Sequence, residues 1–144
     1  MRDAQRRAGR LLLCGALGIS EGALAAALRY HENGKPYLPG GPYFNISHSG
    51  RMVLLAVSGA AEIGCDVEAL SRRVHNEAAI RRKIAEPGAE DIPLLELWVR
   101  YEARLKAGGP GRMYMPPVRV GYVAAVCSLA EHACELAIEE KYFA

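Results

Sequence analysis

The sequence contains no CxxC pair, no internal repeat, no low-complexity tract and almost no surplus of charge. Its four cysteines stand at 14, 65, 127 and 134. Cys127, His132 and Cys134 lack a fourth ligand at zinc spacing, so small buried thiols are the expected reading. A disulfide-stapled secreted domain would be shorter and more regularly spaced in cysteine. With 18 Lys+Arg against 16 Asp+Glu the formal charge is only +2, which disfavours a dense basic surface for nucleic acid. No stretch approaches the roughly 20 apolar residues of a membrane-spanning helix. Gly108-Gly109-Pro110-Gly111 follows a helical pattern instead of opening one and lacks GxxxxGKS/T, which excludes a nucleotide P-loop.

What is present fits a globular chain. Its 144 residues are 51% hydrophobic and 24% charged, which argues for one domain over 1–144 rather than disorder. The start, MRDAQRRAGR before LLLCGALGI, imitates a secretory leader. Asp3, Gln5 and the closely following Glu21 weaken that likeness, and an amphipathic helix with Ala8, Leu11, Leu12 and Cys14 inward is the simpler account. A cytoplasmic location is expected.

Helices are predicted over 3–18 and 21–30, with Ser20 as N-cap of the second. Residues 31–42 carry too many Gly and Pro for a regular element and read as a loop with extended pieces. A polar segment, Phe44 to Gly50, precedes a strand-like run at 52–57, and 62–68 resumes strand character, so 52–68 reads as a β-hairpin. A helix over 74–85 stops at Pro87-Gly88. Another spans Leu94–Lys106, its stripe formed by Leu94, Leu97, Tyr101 and Leu105. Residues 118–127 are β-prone, and the alternating tail around Leu136 and Ile138 predicts an edge strand paired with 120–127. The irregular order of helices and strands makes the class α+β.

Asp66 and Glu68 stand two apart on a predicted strand and share a face. Crowded carboxylates repel, which suggests a cation between them and Mg²⁺ among oxygen ligands; solvated acids on an exposed strand are the plain alternative. On repulsion alone, Asp66→Ala should fold with little loss. Glu102 and Lys106 are spaced i, i+4 on the strongest helix, in line with Trp98. They read either as a surface ion pair or as a metal ligand or base beside a phosphate clamp. In Ser47-His48-Ser49, neighbouring side chains point to opposite sides, so a Ser47–His48 nucleophile pair is geometrically poor, and a polar segment donating to phosphate is more natural. Lys35, between Gly34 and Pro36, offers a free ammonium. Arg72-Arg73 and Arg81-Arg82-Lys83 read as solvated basic faces, with docking of an acidic partner as the other reading.

The order of these pieces is more specific than any one of them. Gly34-Lys35-Pro36, Phe44-Asn45-Ile46-Ser47-His48-Ser49, Ile63-Gly64-Cys65-Asp66-Val67-Glu68 and Trp98-x-x-x-Glu102-Ala103-x-x-Lys106-Ala107 together resemble the 4′-phosphopantetheinyl transferase superfamily. The likeness is to the two-repeat type that modifies carrier proteins, from about residue 10 to about 127. The resemblance implies an antiparallel sheet packed with helices and a first repeat truncated at the N-terminus. It further implies transfer of the phosphopantetheine arm of coenzyme A to a serine of an acyl or peptidyl carrier protein. In it Asp66, Glu68 and Glu102 would hold Mg²⁺, Glu102 would also serve as base, and Lys106 would assist the departing phosphate. Lys35, Ser47 and His48 would contact the nucleotide, His48 at its 3′-phosphate. Tyr101 stands where the superfamily often has Lys. The shortened start predicts either a second subunit completing the cleft, hence a homo-oligomer, or a weak or inactive homologue that only binds coenzyme A or a carrier protein.

Overall fold

The computed structural model describes residues 1–133 and 137–142. Cys134 and Leu136 lie outside the described residues. Helix α1 (Arg2–Leu17) ends where Gly18 takes a left-handed conformation, and α2 (Glu21–Ala27) starts on Ser20, whose hydroxyl accepts from the Ala23 N–H at 3.1 Å. A bend of 95° separates the two, and no single helix among the described residues is long and apolar enough to cross a membrane. Ala8, Leu13 and Cys14 face inward as the helical period requires; Leu11, expected inside, is exposed. The predicted second helix overshoots by a few residues. Its end gives way to β1 (Arg29–Tyr30), paired with β2 (Pro36–Tyr37).

The main strands are β3 (Tyr43–Ser49), β4 (Met52–Ser58), β5 (Ile63–Ala69), β6 (Arg112–Tyr114), β7 (Tyr122–Ser128) and β8 (Ala137–Tyr142). Between β5 and β6 come α3 (Glu77–Ile84) and α4 (Leu94–Ala107). One antiparallel sheet has the order β3-β4-β8 and a second the order β5-β7-β6. Two sequence expectations are therefore corrected. The hairpin is β3–β4, closed at Gly50-Arg51, and not 52–68. The tail strand pairs with β4, not with 120–127. Both errors concern which strand pairs with which, a choice made by long-range contacts and not by local pattern.

Both edges of β4 are taken, by β3 and by β8, so β5 does not join it and is bound instead by the polar residues of β3. Asn45 Oδ1, Ser47 Oγ and Ser49 Oγ accept from the backbone N–H groups of Cys65, Val67 and Ala69 at 2.8, 3.3 and 3.0 Å. Each pair is 20 residues apart, so β3 and β5 run side by side in the same direction, stitched by side chains in place of a ladder. Met52, Leu54 and Ala56 of β4 pack on Ile63, Cys65 and Val67 of β5 and on Ala124 and Val126 of β7, forming the inter-sheet core. Leu55 on the other face of β4 meets α1 and α2 through Leu13, Cys14 and Leu24.

Period-two alternation along β5 decides the rest. With Ile63, Cys65 and Val67 turned inward, Gly64, Asp66 and Glu68 take the opposite face, toward α4. Helix α4 rests on that sheet through Val99, Ala103 and Ala107 against Ala125 and Cys127. The expected stripe is thus rotated: Leu94 and Leu97 are buried, with Tyr101 packed beside them in the α3–α4 cluster, while Leu105 is 58% exposed.

Candidate active site

Close approach of α4 to β5 creates the site. A Cβ at Gly64 would stand 2.2 Å from the Ala103 carbonyl oxygen and 2.4 Å from the Ala107 nitrogen, so only glycine lets the helix seat here. One face of α4 then delivers Lys106 and Glu102 beside the acids of β5. Lys106 Nζ donates to Asp66 Oδ1 at 2.6 Å, to the Cys65 carbonyl at 3.2 Å and to Ser47 Oγ at 3.4 Å.

Asp66 is 6% exposed. Its Oδ1 also accepts from Ser47 Oγ at 2.9 Å, whereas its Oδ2 is buried with no hydrogen-bond partner. Glu68, also buried, accepts from Ser49 Oγ at 2.7 Å and forms an ion pair with Arg72. Arg72 is read from sequence as solvated, yet its guanidinium lies over the Trp98 ring of α4, 5.7 Å from the centroid. Glu102 is partly buried, and that burial, with the Asp66 and Glu68 carboxylates nearby, pushes its carboxyl above the usual range against the pull of Lys106. Lys83 of α3 pulls the same way as Lys106, its ammonium 5.9 Å from the centroid of the Tyr101 ring. A cation thus approaches through space near the position where Tyr101 replaces the expected lysine.

The chain matches curated proteins over most of its length. It is 33% identical over 121 residues to the 4′-phosphopantetheinyl transferase AcpT of Salmonella typhi, covering 76% of this chain and 60% of that protein. Against AcpT of Escherichia coli K12 the identity is 39% over 119 residues, covering 74% and 60%. Against the 4′-phosphopantetheinyl transferase gsp of Aneurinibacillus migulanus it is 32% over 96 residues, covering 61% and 40%. These similarities support placing the chain in the 4′-phosphopantetheinyl transferase superfamily. No family model matches it. The matched stretch spans about 60% of the length of the AcpT proteins. The mixed helices and antiparallel sheets are compatible with a phosphopantetheinyl-transferase-like fold.

The superfamily motifs fall in two places. Lys106 contacts Asp66 where α4 crosses β5, and Glu102 is near enough to feel the charges of Asp66, Glu68 and Lys106. His48 lies elsewhere, exposed on the opposite face of β3 from Ser47, in a cavity of about 510 Å³ walled also by Arg6, Arg10, Leu13 and Phe44. Arg6 and Arg10 were missed in the sequence; their i, i+4 spacing on α1 is the signal that places two cations on one face. Lys35 is not free. It is 12% exposed, and its ammonium donates to Glu62 Oε1 at 2.6 Å and to the carbonyls of Ile63 and Lys106, both at 2.8 Å.

Among the described residues, no three His, Cys, Asp or Glu side chains close into a coordination cluster. Two of the three acids are instead neutralised by Lys106 and Arg72. The donor chemistry nonetheless suits a hard divalent cation. The candidate ligands are all carboxylate oxygens, one of them is buried and unbonded, and the third acid, raised first by its burial, is also repelled by the other two. Asp66 is therefore a paired acid, and the expected tolerance of Asp66→Ala does not follow from this arrangement.

Proposed function

We propose that this chain transfers the 4′-phosphopantetheine arm of coenzyme A to the serine hydroxyl of an acyl or peptidyl carrier protein, releasing adenosine 3′,5′-bisphosphate. The observation that carries this reading is the unpartnered buried oxygen of Asp66, set between β5 and α4 beside Glu102 and Lys106. Asp66, Glu68 and Glu102 are the residues that would hold Mg²⁺, which when bound would neutralise charge on the coenzyme A pyrophosphate.

The protein groups divide the remaining work. Glu102, with its affinity for a proton raised by burial and by the neighbouring acids, accepts the proton of the carrier serine. The serine oxygen forms a bond to the phosphorus of the arm as the bond to the leaving phosphate breaks. Lys106, partly exposed on the same helix face, offsets the negative charge that accumulates on that phosphate. We assign the nucleotide 3′-phosphate to His48, with Arg6 and Arg10 as further cations in the same cavity. Lys35 would reach a phosphate only by exchanging one of its three present acceptors.

A second reading rests on the ion pairs. Because Lys106 and Arg72 already balance Asp66 and Glu68, a homologue that binds coenzyme A or a carrier protein without turnover is the alternative. Incubation with coenzyme A, Mg²⁺ and a panel of apo carrier proteins, followed by intact-mass measurement, separates the two. Addition of one arm to a carrier supports transfer. Binding of coenzyme A with every carrier unmodified refutes it.

A further inference from the structure

We propose that Ser49 and Ser47 of β3 are positioning residues that fix the carboxylates of Glu68 and Asp66. The proposal rests on the reading of those acids as cation ligands. Ser49 Oγ accepts from the Ala69 N–H at 3.0 Å and donates to Glu68 Oε2 at 2.7 Å. Two residues earlier the arrangement repeats: Ser47 Oγ accepts from the Val67 N–H at 3.3 Å and donates to Asp66 Oδ1 at 2.9 Å. In each case the serine binds the backbone of the residue after the acid and the side chain of the acid itself.

A hydroxyl has one proton and two lone pairs. The β5 N–H occupies one lone pair, and at Ser47 the Lys106 ammonium approaches the oxygen as well, at 3.4 Å. The hydroxyl proton is thereby directed at the carboxylate, which is held by a charge-assisted bond from a rigid strand. Outer-shell bonds of this kind orient ligands before the cation arrives. The third rung provides a control within the same strand. Asn45 Oδ1 accepts from the Cys65 N–H at 2.8 Å, supporting β5 in the same way, but touches neither acid.

Direct Mn²⁺ binding to the intact chain, measured by calorimetry and by electron paramagnetic resonance, tests the assignment alongside thermal unfolding. Ser49→Ala is expected to weaken Mn²⁺ binding by ~10- to 100-fold, the usual effect of removing an outer-shell partner. Ser49→Thr keeps the oxygen and the proton and should restore it. Asn45→Ala should lower the unfolding midpoint yet leave the Mn²⁺ affinity unchanged. Undiminished binding by Ser49→Ala overturns the proposal, as does an Asn45→Ala protein that loses as much affinity. Should Ser49→Ala not fold, Ser49→Cys, which is close in size but a weak donor, carries the same comparison and the same refutation. A wild-type chain that binds no Mn²⁺ defeats the cation reading itself, and this role with it.

Discussion

Substituting Gly64 by alanine tests the contact on which the whole cleft depends. The added Cβ would lie 2.2 Å from the Ala103 oxygen, 2.4 Å from the Ala107 nitrogen and 2.8 Å from the Lys106 carbonyl carbon, where ordinary contact begins at 3.4 Å. All three are backbone atoms of α4, so no side chain can turn aside, and the helix must retreat by about 1 Å. Overpacking of this sort costs about 1–3 kcal/mol or more. The reduced freedom of the unfolded chain returns about 0.4–1 kcal/mol. A net loss near 1–2 kcal/mol corresponds to a midpoint lower by roughly 3–8 °C for a chain of this length. Trp98 is the single tryptophan and sits on α4, so its emission reports the displacement directly. Because Glu102 and Lys106 ride on the same helix, transfer should fall by about 100-fold, the scale expected for a 1 Å misplacement. Wild-type stability with unchanged Trp98 emission would show that α4 is not seated on Gly64, and the account of the site would fail with it.

Asp66→Ala should abolish transfer and, because Lys106 loses its partner, lower stability by about 1–2 kcal/mol, discounted for the partial exposure of the lysine; paired denaturation and transfer assays check both halves. Glu102→Gln should also end transfer while leaving stability at neutral pH equal to or above wild type. The raised carboxyl of Glu102 contributes stability below its ordinary range and loses it as pH rises, a cost the neutral amide avoids. Glu86 has the opposite sign: its hydrogen bond from Arg104 holds its carboxyl below the ordinary value of 4.5. Its contribution is therefore complete above that pH and disappears as pH falls through the lower folded value, so the midpoint difference between wild type and Glu86→Gln should shrink in acid. Gly15→Ala, in open space on α1, should stabilise by about 0.5–1 kcal/mol in thermal unfolding, in contrast to the same change at Gly64.

Local signals were legible and pairings were not. Ser20 as a cap, a first helix ending near 18 and α4 as a long helix follow from residues within one turn of each other. Asp66, Glu68, Glu102 and Lys106 were also legible, since period two on a strand and i, i+4 on a helix fix their relative directions wherever the elements dock. Joining β5 to β4 was a reasonable reading of 52–68, but nothing local reveals that the alternating polar residues of β3 bind the β5 backbone. The same ignorance misdirected β8. Lys35 and Arg72 looked solvated because a long cationic side chain gives no local sign of the acceptors it will find, here Glu62 and Glu68.

The bonding of the acids ranks them as ligands on the proposed reading. Asp66 has one oxygen committed to Ser47 and Lys106 and the other buried without a partner, so a cation could be met there without breaking any bond. Glu102 is the acid whose charge is least well balanced: burial first and then repulsion from Asp66 and Glu68 raise its proton affinity, and a positive ion beside it would offset that repulsion. Glu68 differs, because Ser49 holds one oxygen and Arg72 the other. Arg72 is the half-exposed member of that pair, and its release into solvent over Trp98 is the step that would make Glu68 available. The site thus has one acid ready, one strained by its neighbours and one under a removable counterion. On that reading a cation beside Glu102 would offset its repulsion from the other two acids, while in this fold Lys106 and Arg72 balance Asp66 and Glu68.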